Sequence, residues 1–292
     1  MSDFITRCRR ALRAFREEPA APPPAPAPAV SAPVRLREPS PFDVGLRDRV
    51  AGGWFLNATA ELVSGVPVTP GQTVVDVGCG DGGNAGFCAR HGAHVILVDQ
   101  DAERLRGAAE SVRARGGPEP RSVVTDCNPI PLPEATADIV MCTEVLEHVP
   151  DPAALLRELF RLGRPGALYV LTVPDAHFER LIGVTAPDEY FRAPNHIRII
   201  EREEFAALVT GSGLEIVRQQ GLDAYWSFFW VVNYMSAGWI HPPWHPVVEH
   251  WARAWTALLD HPRGREVKRA FDDAWPRTQL IVARKPDGAV DG

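Results

Sequence analysis

The chain has 292 residues, 45% of them hydrophobic, and a formal net charge of −6. It is long enough to bury one sizeable α/β core with appendages, and its acidic balance argues against a broad nucleic-acid-binding surface. The five cysteines, Cys8, Cys79, Cys88, Cys127 and Cys142, are odd in number and scattered, so neither a disulfide frame nor a zinc spacing is indicated.

Reduced thiols fit a cytoplasmic protein. The first residues show no apolar stretch ahead of a cleavage site, so export is not expected. Phe4, Ile5, Cys8, Leu12 and Phe15 lie at roughly helical spacing among Arg7, Arg9, Arg10, Arg13 and Arg16. This predicts a basic amphipathic helix over 1–18, open to two readings: peripheral contact with an anionic membrane or partner, or a solvated terminal helix. Over 19–41 prolines alternate with alanines, which predicts an extended linker. The main domain is expected over 42–286, with a short tail at 287–292. Near its start, Trp54, Phe55, Ala58, Leu62 and Val63 suggest a helix ending before Pro67.

Strand and helix then alternate. Thr73–Val77, Val95–Val98, Ser122–Thr125, Ile139–Cys142 and Leu168–Thr172 read as buried strands because they are short apolar runs rich in β-branched residues. Helices are expected near Asn84–His91, Ala102–Arg115, Ala153–Leu162 and Glu203–Val209. Asp151 can cap the third of these, with Pro152 in its first position. The alternation predicts an α/β, doubly wound, mostly parallel sheet with ligands outside the carboxyl ends of its strands. Asp76, Asp99, Asp126 and Thr143-Glu144 all fall at such ends. Val74–Val77 breaks into Gly78, Gly80, Gly82 and Gly83, which allow a tight turn and close backbone approach to a ligand. Asp76, inside the apolar strand, requires a partner there. Asp99 ends the next strand roughly twenty residues after the glycines, where an acid holds ribose hydroxyls in nucleotide-binding folds.

Residues 222–276 form an insertion before the last strand, Gln279–Ala283. It carries Trp226, Phe228, Phe229, Trp230, Tyr234, Trp239, Trp244, Trp251 and Trp255, and has no charged residue from Ala224 to Val248. Three readings stand: a lid over an apolar acceptor, an interfacial membrane contact, or a helical appendage packed on the domain. Asn233, Ser236, Gly238 and Pro242-Pro243 argue against a membrane span.

Glu144, Glu147 and His148 stand at i, i+3 and i+4, one face of a helical turn. Such a set can hold a divalent ion, for instance magnesium, that would acidify an acceptor hydroxyl. Without an ion, His148 is the candidate general base, with His177 and His196 in reserve.

Asp76-Val77-Gly78-Cys79-Gly80, Asp99, Asp126-Cys127 and Glu144-Val145-Leu146-Glu147-His148 resemble the class I S-adenosylmethionine-dependent methyltransferases, in particular the type 11/12 and ubiquinone-biosynthesis O-methyltransferase branch. The resemblance implies a seven-stranded, Rossmann-like sheet whose last two strands pair antiparallel. It implies that Asp76, Gly78, Cys79 and Gly80 surround the methionine end of the cofactor. Asp99 and Gln100 would meet the ribose side, Asp126 and Cys127 the adenine, and Thr143 and Glu144 would complete the contact set. Relatives that methylate small RNAs complete a metal set with a later histidine, and His196 stands in a comparable place beside Glu144, Glu147 and His148. The expected activity is O-methylation of a small-molecule, sugar or lipid-like acceptor. A nicotinamide-dependent oxidoreductase on a related fold and a non-catalytic membrane-associated module are the alternatives.

Overall fold

The computed structural model of the chain describes residues 39–236 and 241–288. The basic helix expected over 1–18, and the linker as far as residue 38, lie outside them, as do the last four residues of the tail. The first element is helix α1, Pro41–Ala51, which begins inside the proline-rich stretch. Ser40 accepts from the Asp43 amide, Asp43 accepts from the Ser40 amide, and Pro41 takes the first helical position. This reciprocal cap starts the helix where composition alone predicts extended chain.

The helix expected around Trp54–Val63 is replaced by strands. β1 (Trp54–Leu56), β2 (Glu61–Val63) and β3 (Val66–Pro67) form a small antiparallel sheet, with Trp54 opposite Val63 and Leu56 opposite Glu61. Phe55 and Ala60 adopt left-handed φ values of 54° and 55°, which a right-handed helix does not admit. Trp54, Leu62, Val63 and Val66 all enter one core, so strand pairing sorts an apolar spacing that looks helical in one dimension.

The main sheet contains β4 (Thr73–Val77), β5 (His94–Asp99), β6 (Arg121–Val124), β7 (Ala137–Thr143), β8 (Gly163–Pro174), β9 (Glu215–Leu222) and β10 (Thr278–Arg284), in the order β6-β5-β4-β7-β8-β10-β9. β10 runs antiparallel to β8 and β9; the remaining pairs are parallel. Helices α2 (Gly83–Arg90), α3 (Ala102–Ala114), α4 (Pro152–Leu162), α5 (Ala176–Ile182) and α6 (Arg202–Gly211) provide the crossovers. Val75, Val77, Val98 and Val140 enter one core; Val74, Val95, Leu97, Ile139 and Met141 enter a second. Successive side chains point to opposite faces and both faces are covered, which is why these strands read as unbroken apolar runs. The fold is the doubly wound, mostly parallel sheet that the alternation implies, with the seven strands that the resemblance implies.

From β4 the chain winds to β5 and β6 on one side and to β7 and β8 on the other. The crevice of such a sheet lies outside the carboxyl ends of β4 and β7. The insertion supplies α7 (Ala224–Met235), α8 (Pro246–Asp260) and α9 (Gly264–Ala274). Tyr225, Phe229, Val232, Val248, Ala252 and Trp255 form a third core with Val44 of α1. Trp255 Nε1 donates to Asp48 (2.8 Å) and the Tyr225 hydroxyl to the Pro41 carbonyl (2.9 Å). Buried Lys268 pairs with Asp272 and approaches Asp48 at 3.5 Å. Most of the insertion's buried aromatics therefore pack the insertion onto α1. Among the described residues, no helix is long and apolar enough to cross a membrane.

Candidate active site

After Val77 the backbone turns through Gly78 and Gly80 at φ of 69° and 55°. A Cβ on Gly78 would collide with Val145 in the loop after β7, whereas one on Gly80 would meet nothing within 4 Å. Glycine at 78 is thus required by packing, and at 80 it leaves bare backbone facing open space. The Gly78 and Cys79 amides donate to the Val98 carbonyl at 2.8 and 3.3 Å, pinning the turn to β5.

Asp76 is 1% exposed, and neither of its carboxylate oxygens has a hydrogen-bond partner among the described residues. Burial lifts its pKa to about 7, with the Ala85 amide opposing and Asp81 and Asp99 adding to the rise. An acid so placed is disfavoured when ionised until a cation or new donors arrive. Asp99 is buried at the end of β5 and accepts from the Asp101 amide through Oδ1 (3.0 Å). Gln100, next to it, is exposed. The Thr125 amide donates to the Asp99 carbonyl (3.0 Å), which brings the end of β6 alongside. Asp126 there is exposed and accepts from the Asn128 amide (3.1 Å), and half-buried Cys127 follows at a φ of 67°. Burial, then Asp99 and Asp126, raise the Cys127 thiol to about 11; burial, then Asp76 and Asp99, raise Cys79 to about 12. Both thiols stay neutral near pH 7 and act as surface, not as nucleophiles.

At the end of β7 the Thr143 hydroxyl accepts from Asn84 Nδ2 (3.3 Å), and Asn84 Oδ1 accepts from Trp54 Nε1 (3.1 Å). This relay ties β1 and the first turn of α2 to β7. Glu144 departs from expectation. Residues 144–150 form turns, not a helix, and Glu144 itself sits at a φ of 57°. Its Oε1 accepts from the Thr172 hydroxyl (3.0 Å), and its Oε2 pairs with Arg277 Nη1 (2.6 Å). Those partners occupy both of its oxygens, and Glu144 is not in the group whose ligand atoms converge, so it leaves the predicted metal set.

The other three members of that set converge. Ligand atoms of Glu147, His148 and His196 lie within 4.8 Å of one another. The Ile197 amide donates to the Glu147 carbonyl (3.0 Å), which fastens the late segment to the loop after β7. His148 Nδ1 lies 3.1 Å from the Pro194 carbonyl, which can only accept, so Nδ1 carries the proton and Nε2 is left bare. His196 Nδ1 lies 2.9 Å from Glu179 Oε2, which fixes the orientation of its ring. Buried Glu179 also accepts from the Tyr190 hydroxyl (2.7 Å). Glu147 is 1% exposed, with both oxygens unpartnered among the described residues; burial, then Glu144, hold its pKa well above the carboxylate range. Burial, then His196, lower the pKa of His148, which keeps it neutral near pH 7. His177 is exposed on the first turn of α5 and does not join the cluster. Sequence reading missed Glu179 and Tyr190, which orient His196 across a turn and a loop and carry no local motif.

Beside the glycine turn opens a cleft of about 410 Å³, lined by Phe42, Leu46, Arg49, Phe55, Trp226, Trp230, Asp81 and Arg277. Of the glycine turn, only Asp81 borders it. Trp226, Trp230 and Tyr234 recur every four residues along α7, with ring centroids 6.3 and 5.9 Å apart. Tyr234 then meets Tyr190 (5.8 Å), Tyr190 meets His196 (4.4 Å), and His196 meets His148 (4.8 Å). An aromatic wall thus runs from the cleft to the Glu147–histidine cluster, and its Trp226, Trp230 and Tyr234 come from the insertion.

A family model described as a methyltransferase domain matches residues 10–219. The chain belongs to the class I S-adenosylmethionine-dependent methyltransferases. That membership decides against the nicotinamide-dependent alternative. The ubiquinone biosynthesis O-methyltransferase of Hahella chejuensis is 31% identical over 167 residues, 52% of this chain and 67% of that protein. The enzyme of the same name from Psychrobacter cryohalolentis is 32% identical over 151 residues, 50% of this chain and 56% of that protein. A phosphoethanolamine N-methyltransferase from Triticum aestivum is 27% identical over 175 residues, 58% of this chain and 30% of that protein. This methyltransferase chain therefore spans roughly half to two thirds of the ubiquinone relatives it matches. Among solved structures, geranyl diphosphate methyltransferase in complex with GPP and sinefungin has a TM-score of 0.51 at 19% identity, covering 75% of this chain and 74% of that one. The [4+2]-cyclase SpnF has a TM-score of 0.53 at 21% identity, covering 84% and 82%. These likenesses show the fold; a cyclase among them means that fold alone does not set the reaction. The family match ends at residue 219, ahead of α7, so Trp226, Trp230 and Tyr234 of the aromatic wall lie outside it.

Proposed function

We propose that this methyltransferase moves the sulfonium methyl of S-adenosylmethionine to a hydroxyl oxygen of a small, largely apolar acceptor held in the aromatic cleft. The observation that carries the proposal is the Glu147–His148–His196 cluster at the end of the wall. Methyl transfer from a sulfonium needs an aligned acceptor and little covalent help, but a hydroxyl acceptor must also lose its proton. His148, with its Nδ1 proton held by the Pro194 carbonyl and its Nε2 bare, supplies a base for that proton. Asp76 and the glycine turn take the charged methionine end, Asp99 the ribose, and Asp126 the adenine, as in the family's arrangement. The site's acidity suits a cation whose charge disappears on transfer.

The cluster also fits a divalent ion. Each histidine has its Nδ1 beside an oxygen acceptor, and the Glu147 carboxylate lies within 4.8 Å of both rings' ligand atoms, a donor set and outer contacts compatible with such an ion. Glu147, His148 and His196 would hold it, and when bound it would supply Lewis acidity toward the acceptor oxygen.

Incubating the full chain with methyl-labelled S-adenosylmethionine and a metabolite extract, then identifying the labelled product by mass spectrometry, tests the oxygen assignment. A methyl ether lost in Glu147→Gln supports it; a methylated amine or carbon refutes it. Turnover indifferent to a chelator removes the ion and leaves His148 as base.

A further inference from the structure

The polarity of α7 is inverted with respect to water. The helix contains no charged residue, and its serine and asparagine lie inward: Ser227 is fully buried and donates to the Trp275 carbonyl (3.1 Å), and Asn233 is 2% exposed. Trp226, Trp230 and Tyr234 stay only half-buried. A surface helix ordinarily does the reverse. α1 extends the same surface. Its Phe42, Leu46 and Val50 recur every four residues at 39%, 52% and 38% exposure, and the Phe42 ring lies 5.3 Å from that of Trp226 and 5.5 Å from that of Trp244. The indole N–H groups divide in the same way. Those of Trp54, Trp251 and Trp255 each donate to an oxygen, whereas those of Trp226, Trp230 and Trp244 have no acceptor among the described residues. Half-exposed indoles with an apolar body and a wet N–H suit the headgroup level of a bilayer. A contiguous apolar surface of this kind marks an interaction site. The chain itself indicates what covers it. Residues 1–38 lead into α1 at Ser40-Pro41, next to Phe42, and residues 1–16 carry five arginines against one aspartate in a protein of net charge −6. A second copy of this chain would bring the same arginines and leave both sets unmatched. An anionic bilayer takes the aromatic rim at its headgroup level and the arginines at its surface charge.

We propose that the rim formed by Phe42, Leu46, Trp226, Trp230 and Trp244 rests on an anionic phospholipid surface, held there in part by the arginines of residues 1–16. Phe42, Leu46, Trp226 and Trp230 also line the cleft, so an apolar acceptor reaches it from the lipid side; that consequence alone rests on the methyl-transfer reading. Co-sedimentation of the full chain with lipid vesicles needs neither cofactor nor acceptor, so its outcome is separate from the fate of that reading. The chain is expected to bind vesicles of phosphatidylglycerol and phosphatidylcholine in equal parts, and to bind phosphatidylcholine alone at least about tenfold more weakly. Arg9→Gln combined with Arg10→Gln should weaken binding to the mixed vesicles about thirtyfold. Leu46→Glu, at an exposed position of α1, should weaken it at least about tenfold, with Leu46→Ser falling between. A measurement on the wild type needs no variant to fold: phosphatidylcholine brominated along its acyl chains, mixed into the same vesicles, should quench the tryptophan fluorescence. Absence of vesicle binding, equal binding to the two vesicle types, or Leu46→Glu binding as the wild type does would each overturn the proposal. Fluorescence left unquenched in the bound state would overturn it too, since the arginines alone would then account for the attachment. A concentration-dependent dimer that ignores vesicles would assign the rim to a second copy of the chain and overturn it as well.

Discussion

Asp76→Asn separates what the cofactor crevice does for binding from what it does to the fold. The folded Asp76 has a pKa near 7 against an ordinary 3.8, chiefly because burial disfavours its charge. Between those values the folded chain holds a proton that the unfolded chain has released, so this residue makes stability fall as pH rises from about 4 to about 7. A rise of that size corresponds to roughly 4 kcal/mol at pH 8 as an upper bound. An asparagine cannot ionise, though its own amide also lacks partners, which costs on the order of 1–3 kcal/mol. The expected outcome is that the unliganded variant is more stable than wild type at pH 8 by about 1–3 kcal/mol, with the advantage gone at pH 5. Asp48, lifted to about 7 by burial against Lys268, titrates in the same window but does so in both proteins. The wild-type-to-variant difference therefore isolates Asp76. Loss of the charge opposite a cationic cofactor should weaken S-adenosylmethionine binding by about 2 kcal/mol, near thirtyfold. Urea unfolding at pH 5 and pH 8, paired with calorimetric titration, reads both quantities. A variant less stable than wild type at pH 8, or one with undiminished cofactor affinity, would refute the reasoning.

Asp99→Ala should weaken S-adenosylhomocysteine by roughly ten- to a hundredfold through the ribose contact while sparing acceptor binding; equal losses on both ligands would contradict that role. His196→Ala should depress turnover on the order of a hundredfold with little effect on cofactor affinity, and a kcat unchanged in steady-state kinetics would remove the cluster from the chemistry. Trp255→Phe takes the indole donor from buried Asp48, so urea unfolding should show a loss of about 1–3 kcal/mol; a difference under about 0.5 kcal/mol would mean that Asp48 finds another partner. Gly78→Ala forces a Cβ against Val145 at a left-handed φ and should lower stability by at least about 1–3 kcal/mol in the same assay, whereas a silent substitution would mean the turn relaxes freely.

The sheet was legible because β4, β5 and β7 are buried on both faces and their runs contain almost nothing but β-branched and aliphatic residues. The strand-end acids were legible for the same reason: a charge at the edge of such a run has nowhere else to go. What escaped reading depends on partners far apart in the chain. Trp54 and Leu62 look helical until the pairing of β1 with β2 is known, and the start of α1 hides in a linker-like composition although Ser40, Pro41 and Asp43 spell its cap. Glu144 counted as a neighbour of Glu147 only if the loop were helical; its true partner, Arg277, lies 133 residues away. His148 and His196 were paired through resemblance, while Glu179 and the aromatic wall that frame them have no signature shorter than the tertiary fold.

The central claim, that one crevice presents the sulfonium to the Glu147–histidine cluster, is tested most directly by a crystal structure of the full chain with S-adenosylhomocysteine. The account predicts ribose hydroxyls at about 3 Å from Asp99, hydrogen-bond range, and the sulfur at the mouth of the aromatic cleft. Nucleoside density elsewhere on the sheet, or a sulfur turned away from that cleft, would contradict it.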